Sequence, residues 1–198
     1  MTDAVEPIAD RTRWRDRYSE RGVELEREPS AWVVDRLESL PKNALVLDLA
    51  SGSGRHAAAA ARTGRTAIVI DFIAQAVAAA VARQTNVLGA TADVRALPLR
   101  DASFDAIVVV SFLDRSLFPA IRRLLTPGGT LIYETFTLKH LGVVERGKAR
   151  GPTNAKYLLN PGELPQLAAP LDVVEHEECL VADGAGERHV ARMVAMKR

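Results

Sequence analysis

Residues Val46–His56 read "VLDLASGSGRH". Aliphatic residues alternate with an acid and small residues. A loop of serine and glycine follows, then a basic pair and a run of alanines from Ala57. An apolar run, a Gly-rich turn and helix-forming alanines make a strand–loop–helix transition. Such a loop usually cradles phosphate on its backbone N–H groups. Asp48, however, stands four residues before Gly52, and a carboxylate there repels phosphate. The fold follows from this stretch, and the function from how its charge conflict is resolved.

The alternation extends to both sides. Upstream, Ser30 is placed to cap a helix, "AWVVDRLESL", that Pro41 ends. Downstream, "RHAAAAARTG" is a helix with Gly64 as its stop. "TAIVID" is a strand, "IAQAVAAAVARQ" a helix able to pack closely on a sheet, and "NVLGATAD" a third strand. "FDAIVVVSF" is a fourth, continuous and apolar. A helix with Pro119 in its first turn follows, and "TPGG" turns into a fifth strand, "TLIYETFT". Strand and helix alternating over residues 1–137 predict a parallel sheet with right-handed crossovers. "NPGELPQLA" predicts a short helix capped by Asn160, with Pro161 first. The remainder predicts an antiparallel hairpin at the sheet edge.

The expected fold class is therefore α/β: a doubly wound, mostly parallel seven-stranded sheet with helices on both faces and a C-terminal antiparallel hairpin. Residues 1–198 form one domain, with 1–40 an N-terminal helical cap segment and 138–165 a substrate lid. A chain of 198 residues is long enough to bury a real core. A net charge of +1 and 5% aromatic residues argue against a nucleic-acid partner. No apolar run approaches the roughly 20 residues of a membrane span, and no signal peptide opens the chain. One cysteine, Cys179, makes no internal disulfide, as expected in the cytoplasm. The four histidines are too scattered to predict a metal site.

"GSGRHA" satisfies the loose dinucleotide pattern, and Asp71 lies 19 residues past Gly52 at the end of the second strand. A carboxylate there accepts bonds from both ribose hydroxyls, which predicts an adenosine-containing ligand. Asp48 ends the first strand on the same edge. Two unit charges about 4 Å apart interact by roughly 4 kcal/mol at an effective dielectric of 20. That sign is wrong for a pyrophosphate and right for a ligand with an ammonium and a sulfonium. S-adenosylmethionine has both cations, the same adenosine and no phosphate. Asp48 also suits the loop's own N–H groups, and the two roles are compatible. Asp93, ending the third strand, is a third acid on this edge.

With "VLDLASGSGRHA", "VIDF", "ADVRALPL", "FDAIVVVSFL" and "LLTPGGTLIYETF", the chain resembles the class I S-adenosylmethionine-dependent methyltransferases over about residues 40–137. "DLASGSGRHA" and the Arg17–Tyr18 pair resemble, more narrowly, the small bacterial tellurite-resistance and thiol-methyltransferase type. The resemblance implies a cofactor, S-adenosyl-L-methionine, and a role for each matching residue. Ala50, Gly52 and Gly54 shape the loop, the two glycines letting backbone approach the methionine part. Asp48 sits near the ammonium. Asp71 holds the ribose and Phe72 the adenine face, while Asp93 and Val94 bind the adenine edge. Ser111 and Phe112 line the transferred methyl, and Tyr18 closes over the cofactor. Phe72, Val94 and Phe112 equally suit core packing.

Methyl transfer is an in-line displacement that alignment and exclusion of water largely supply, so the sequence assigns no catalytic residue. "SFLD", Ser111–Asp114, stands where relatives that methylate amino groups of nucleobases or glutamine often carry an N/D-P-P-Y/F sequence. A small-molecule acceptor is expected instead, in a pocket over residues 112–116 and 134–160, with Glu134 and Thr135 at the exit of strand five. Arg150 and Lys156 would contact it, or belong to a solvated basic loop. His140 is a candidate general base. The alternatives are an NAD(P)-dependent oxidoreductase, sharing the loop and Asp71, and a catalytically inactive cofactor-binding regulatory protein.

Overall fold

In the fourth strand, β4 (Phe104–Val110), every residue except Asp105 is buried. That is the signature of a central strand covered on both faces. The computed structural model describes residues 12, 14–16, 18–20, 22–23, 27–147, 151–183 and 186–198. The other elements are α1 (Ala31–Ser39), β1 (Leu45–Leu49), α2 (Arg55–Arg62), β2 (Thr66–Asp71), α3 (Ala74–Val81) and β3 (Val87–Thr91) before β4. After it come α4 (Phe118–Leu124), β5 (Leu125–Phe136), α5 (His140–Glu145), α6 (Glu163–Ala168), β6 (Asp172–Asp183) and β7 (Gly186–Met196).

The sheet order is β3-β2-β1-β4-β5-β7-β6. β1 to β5 run parallel, and β7 enters antiparallel between β5 and β6. The expected fold class is borne out. Two apolar layers cover the sheet. On one face Trp32, Val33 and Leu37 of α1 join the alanines of α2 and Val77 and Ala80 of α3. On the other, Phe118 and Ile121 of α4 and Leu164 of α6 pack on Leu47, Val109 and Tyr133. The strand order reverses at β1, so a crevice opens outside the carboxyl ends of β1 and β4.

Several local expectations are corrected. Ser30 does not cap α1 with its side chain; its hydroxyl donates to Glu134 Oε2 at 2.8 Å. α6 begins at Glu163 behind Gly162, in left-handed conformation, rather than at Pro161. Asn160 N–H and Nδ2 instead donate to Glu163 Oε2 at 2.8 and 3.0 Å. β5 starts before the "TPGG" turn, pairing Leu125 with Phe104 and Thr130 with Ala106. The intervening residues bulge and are pinned to the C-terminus, Gly128 N–H donating to the Lys197 carbonyl at 2.7 Å. β3 ends at Thr91 and β4 at Val110, so Asp93, Ser111 and Phe112 all lie just beyond their strands.

Candidate functional site

The first-strand carboxylate is buried, 2% exposed. Its Oδ2 accepts the Ala57 N–H at 3.1 Å, so the strand's acid serves the first turn of α2. Gly54, the residue before that helix, brings no side-chain cap, which leaves this orphan donor to Asp48. Burial pushes the Asp48 pKa from 3.8 up to about 7; the Ala57 bond and Arg55 oppose the shift and Asp71 adds to it.

That shift has a signed consequence. Unfolded, Asp48 loses its proton near pH 3.8; folded, it keeps it to about pH 7. The folded chain binds more protons in that window, so this group makes stability fall as pH rises through it. Asp48→Asn keeps a carbonyl for Ala57 and cannot ionise. Between about pH 5 and pH 7 it should lose roughly 2 kcal/mol less stability than the wild-type chain. Urea unfolding at both pH values measures this, and equal losses in the two proteins would refute it.

Asp71 closes the loop from the next strand. Gly52 N–H donates to its Oδ2 at 2.9 Å and Ile73 N–H to its Oδ1 at 3.0 Å. Burial raises its pKa against these amide bonds. Phe72 N–H bonds the Asp71 carboxylate too, which still leaves it capacity to accept from a ligand hydroxyl. Asp93 Oδ1 accepts from Arg95 N–H at 3.0 Å, an Asx turn. Val94 is buried in the core with Leu97, and the half-buried Phe112 packs against the same core. The Phe112 carbonyl accepts the Tyr133 hydroxyl at 3.0 Å. Phe72 is half-buried beside Asp71.

Backbone strain concentrates at this edge. Ala50 (φ 53°), Gly52 (φ 53°), Gly54 (φ 66°) and Ser111 (φ 57°) are left-handed, costly for Ala and Ser and often found at functional sites. A Cβ added at Gly54 would overlap Ala80 Cβ and lie 3.0 Å from Ala80 Cα. This glycine thus lets α3 approach the loop, rather than making room for a ligand. At Gly52 a Cβ would lie 3.1 Å from the Tyr18 hydroxyl, so the Tyr18 hydroxyl lies beside the loop. Ser51 Oγ is buried there with no hydrogen-bond partner among the described residues. The spare hydroxyl and the glycine beside Tyr18 suit a polar, close-fitting ligand.

Toward β5 the sequence reading missed a buried network. Glu134 is 0% exposed and Arg188 only 4%. Glu134 Oε2 accepts from Ser30 Oγ at 2.8 Å and Arg192 Nε at 2.9 Å, and Arg188 Nη1 reaches Oε1 at 3.4 Å. Glu134 and Thr135 are therefore core residues and not the walls of an open acceptor pocket. Ser30 N–H also donates to His56 Nε2 at 3.2 Å. Burial, then Arg55, Arg27 and Arg188, holds His56 neutral. The missed signal was a glutamate in an apolar strand and two arginines four apart in another, which places both on one face.

His140 is buried, its ring 4.6 Å from that of Phe136. Its Nδ1 accepts His189 N–H at 3.4 Å, and burial, Arg188 and His189 lower its pKa. Lys156 is exposed on a short 3-10 turn, Ala155–Tyr157, its Nζ 5.8 Å from the Tyr157 ring centre. Arg17 and Arg150 lie outside the described residues. Among the described residues no helix is long and apolar enough to cross a membrane, and no three His, Cys, Asp or Glu form a metal-holding group.

Residues 46–129 match the model of a family described as a methyltransferase domain. A SAM-dependent methyltransferase of Methanosarcina mazei superposes with TM-score 0.67 at 17% identity, over 86% of this chain and 99% of that one. TehB of Haemophilus influenzae superposes with TM-score 0.69 at 19% identity, over 93% and 67%. The fold is that of the SAM-dependent methyltransferases. In sequence, a demethylmenaquinone methyltransferase of Beutenbergia cavernae is 36% identical over 98 residues; the match covers 46% of this chain and 40% of that relative's length. The methyltransferase segment 46–129 contains the glycine loop, Asp48, Asp71, Asp93, Ser111 and Phe112, so the resemblance read from those residues is borne out.

Proposed function

We propose that the chain is a cytoplasmic, single-domain enzyme that transfers a methyl group from S-adenosylmethionine to a small-molecule acceptor, with no nucleic-acid partner. The observation that carries this reading is the pair of buried carboxylates, Asp48 and Asp71, on either side of a left-handed glycine loop at the carboxyl edge. Two acids there favour a cationic nucleoside and disfavour the pyrophosphate of a nicotinamide dinucleotide. The matched methyltransferase segment supports the same reading.

Asp71 takes the ribose hydroxyls on its remaining lone pairs, and Phe72 lies against the adenine. Asp93 and Val94 hold the adenine edge. Asp48 faces the ammonium across Ala50, Gly52 and Gly54, Tyr18 covers the loop, and Ser111 and Phe112 line the methyl. The bound cofactor supplies a sulfonium methyl carbon. With it bound, Ser111 and Phe112 would align an acceptor with that carbon, and Tyr18 would help keep water out.

The test is formation of S-adenosylhomocysteine with a panel of thiol, metalloid and phenol acceptors. Turnover of at least one supports the proposal; binding without turnover across the panel favours a regulatory protein. Asp71→Asn should weaken S-adenosylhomocysteine binding about tenfold, the effect of a lost charge-assisted hydrogen bond, measured by calorimetry. Unchanged affinity would remove Asp71 from the ribose site.

A further inference from the structure

We propose that Arg115 is a positioning residue that couples the cofactor site to the acceptor side. With Asp114 it ties the turn after β4 to the adenine-edge turn and to the segment 155–163; the inference rests on the methyltransferase reading. The turn after β4 begins with Ser111 and Phe112, the residues proposed to line the methyl, and runs into a 3-10 turn, Arg115–Leu117. Asp114 caps that turn, its Oδ1 accepting Ser116 N–H at 3.0 Å and Ser116 Oγ at 2.6 Å.

The two neighbours bind different segments. Asp114 Oδ2 accepts Arg95 Nε–H at 2.6 Å, and Arg95 N–H donates to Asp93 Oδ1 at 3.0 Å. This ties down the turn after β3 that carries Asp93 and Val94. Arg115 binds the chain that follows α5. Its Nε donates to Glu163 Oε1 at 2.5 Å and its Nη2 to Glu163 Oε2 at 2.9 Å. Its Nη1 donates to the Lys156 carbonyl at 2.9 Å and its Nη2 also to the Leu158 carbonyl at 3.1 Å. A guanidinium fork on a carboxylate is the strong, directional form of an ion pair. The Glu163 bond raises the Arg115 pKa, and the Arg115 bond lowers that of Glu163.

The segment is held to β5 as well. Leu159 N–H donates to the Phe136 carbonyl at 3.0 Å, and its carbonyl accepts Leu138 N–H at 2.9 Å, around a parallel bridge between Thr137 and Leu159. Leu158 and Leu159 are buried, so these contacts keep the segment on the fold when Arg115 is changed. The segment thus runs along the carboxyl edge from the end of β5 to the turn after β4. A nucleophile attacking in line stands beyond the methyl that Ser111 and Phe112 line, and the segment is the wall on that side. Displacement in line tolerates little misplacement. A ligand that holds the adenine-edge and methyl-lining turns takes freedom from the segment too, through Asp114 and Arg115.

Amide hydrogen exchange with and without S-adenosylhomocysteine reads this coupling. In the wild-type chain the ligand should slow exchange at residues 155–163 by about fivefold or more, as well as at 93–95 and 111–117. Arg115→Gln should keep its calorimetric affinity for S-adenosylhomocysteine and the protection at 93–95, yet lose the ligand-dependent slowing at 155–163. Arg115→Lys should restore part of it, and Glu163→Gln, at the other end of the ion pair, should lose it. Where an acceptor turns over, its kcat/KM should fall about tenfold or more in Arg115→Gln while the KM for S-adenosylmethionine holds; an unchanged kcat/KM overturns the inference. An ion pair that only adds stability would speed exchange at 155–163 equally with and without ligand, and that result overturns it too. So does a wild-type chain whose exchange at 155–163 ignores the bound ligand. An Arg115→Gln chain that loses as much S-adenosylhomocysteine affinity as Asp71→Asn also overturns it, since the arginine would then serve the cofactor. Failure of the wild-type chain to bind S-adenosylhomocysteine is a separate result, which removes the methyltransferase reading and this inference with it.

Discussion

Glu134→Ala should destabilise the chain by roughly 4 kcal/mol, the cost of removing one partner from a buried ion pair. Glu134 has no exposure and holds Arg192, Arg188 and the Ser30 hydroxyl. Its removal leaves two guanidinium groups on one face of β7 without their shared anion, and Arg188 has almost no water to turn to. By the size scaling of unfolding, Tm should fall by about 8–16 °C. Glu134→Gln, which still accepts from Ser30, should fall by less. A loss under about 1 kcal/mol in chemical denaturation would show that the network contributes little to the fold.

Gly54→Ala should cost roughly 3 kcal/mol, from about 1–2 for a left-handed non-glycine residue and a similar amount for overpacking. The Cβ would overlap Ala80, and the obstacle is a helix rather than the flexible end of a side chain. Either α3 shifts outward or the loop leaves its φ of 66°. Either movement disturbs Gly52, whose N–H binds Asp71, so S-adenosylhomocysteine affinity should fall together with stability. Gly64→Ala is the comparison: it shares a positive φ but faces open space, so it should cost only the backbone strain of about 1 kcal/mol. Equal losses at the two positions would show that close packing on Ala80 is not what requires glycine at Gly54.

The parts of this structure legible in the sequence are those set by local periodicity. "ALVLDLA" and "FDAIVVVSF" are apolar but for Asp48, Asp105 and Ser111 because both faces of β1 and β4 are covered. The alanines of α2 reflect a helix pressed against the sheet, with Ala57 to Ala61 all buried. Asp48 and Asp71 were legible because each lies in the last two residues of a strand next to the glycine loop. What escaped was long-range polar pairing. Ser30 is a good cap by composition, yet its hydroxyl turns to a glutamate 104 residues away. Glu134 looked like a pocket wall because a charged residue ending a strand is usually exposed; arginines on β7, paired through an antiparallel register, make its burial tolerable. Asp93 sits two residues past β3, beyond Ala92, whose N–H donates to the Asp71 carbonyl at 3.0 Å, and it opens an Asx turn to Arg95, a shift that strand periodicity does not resolve.

The measurement that tests the central claim most directly is calorimetric titration of the wild-type chain with S-adenosylmethionine and, separately, with a nicotinamide dinucleotide, at a pH above the Asp48 transition of about 7. The acidic edge predicts saturable binding of the sulfonium nucleoside and none of the pyrophosphate. Uptake of the dinucleotide without S-adenosylmethionine binding would contradict it.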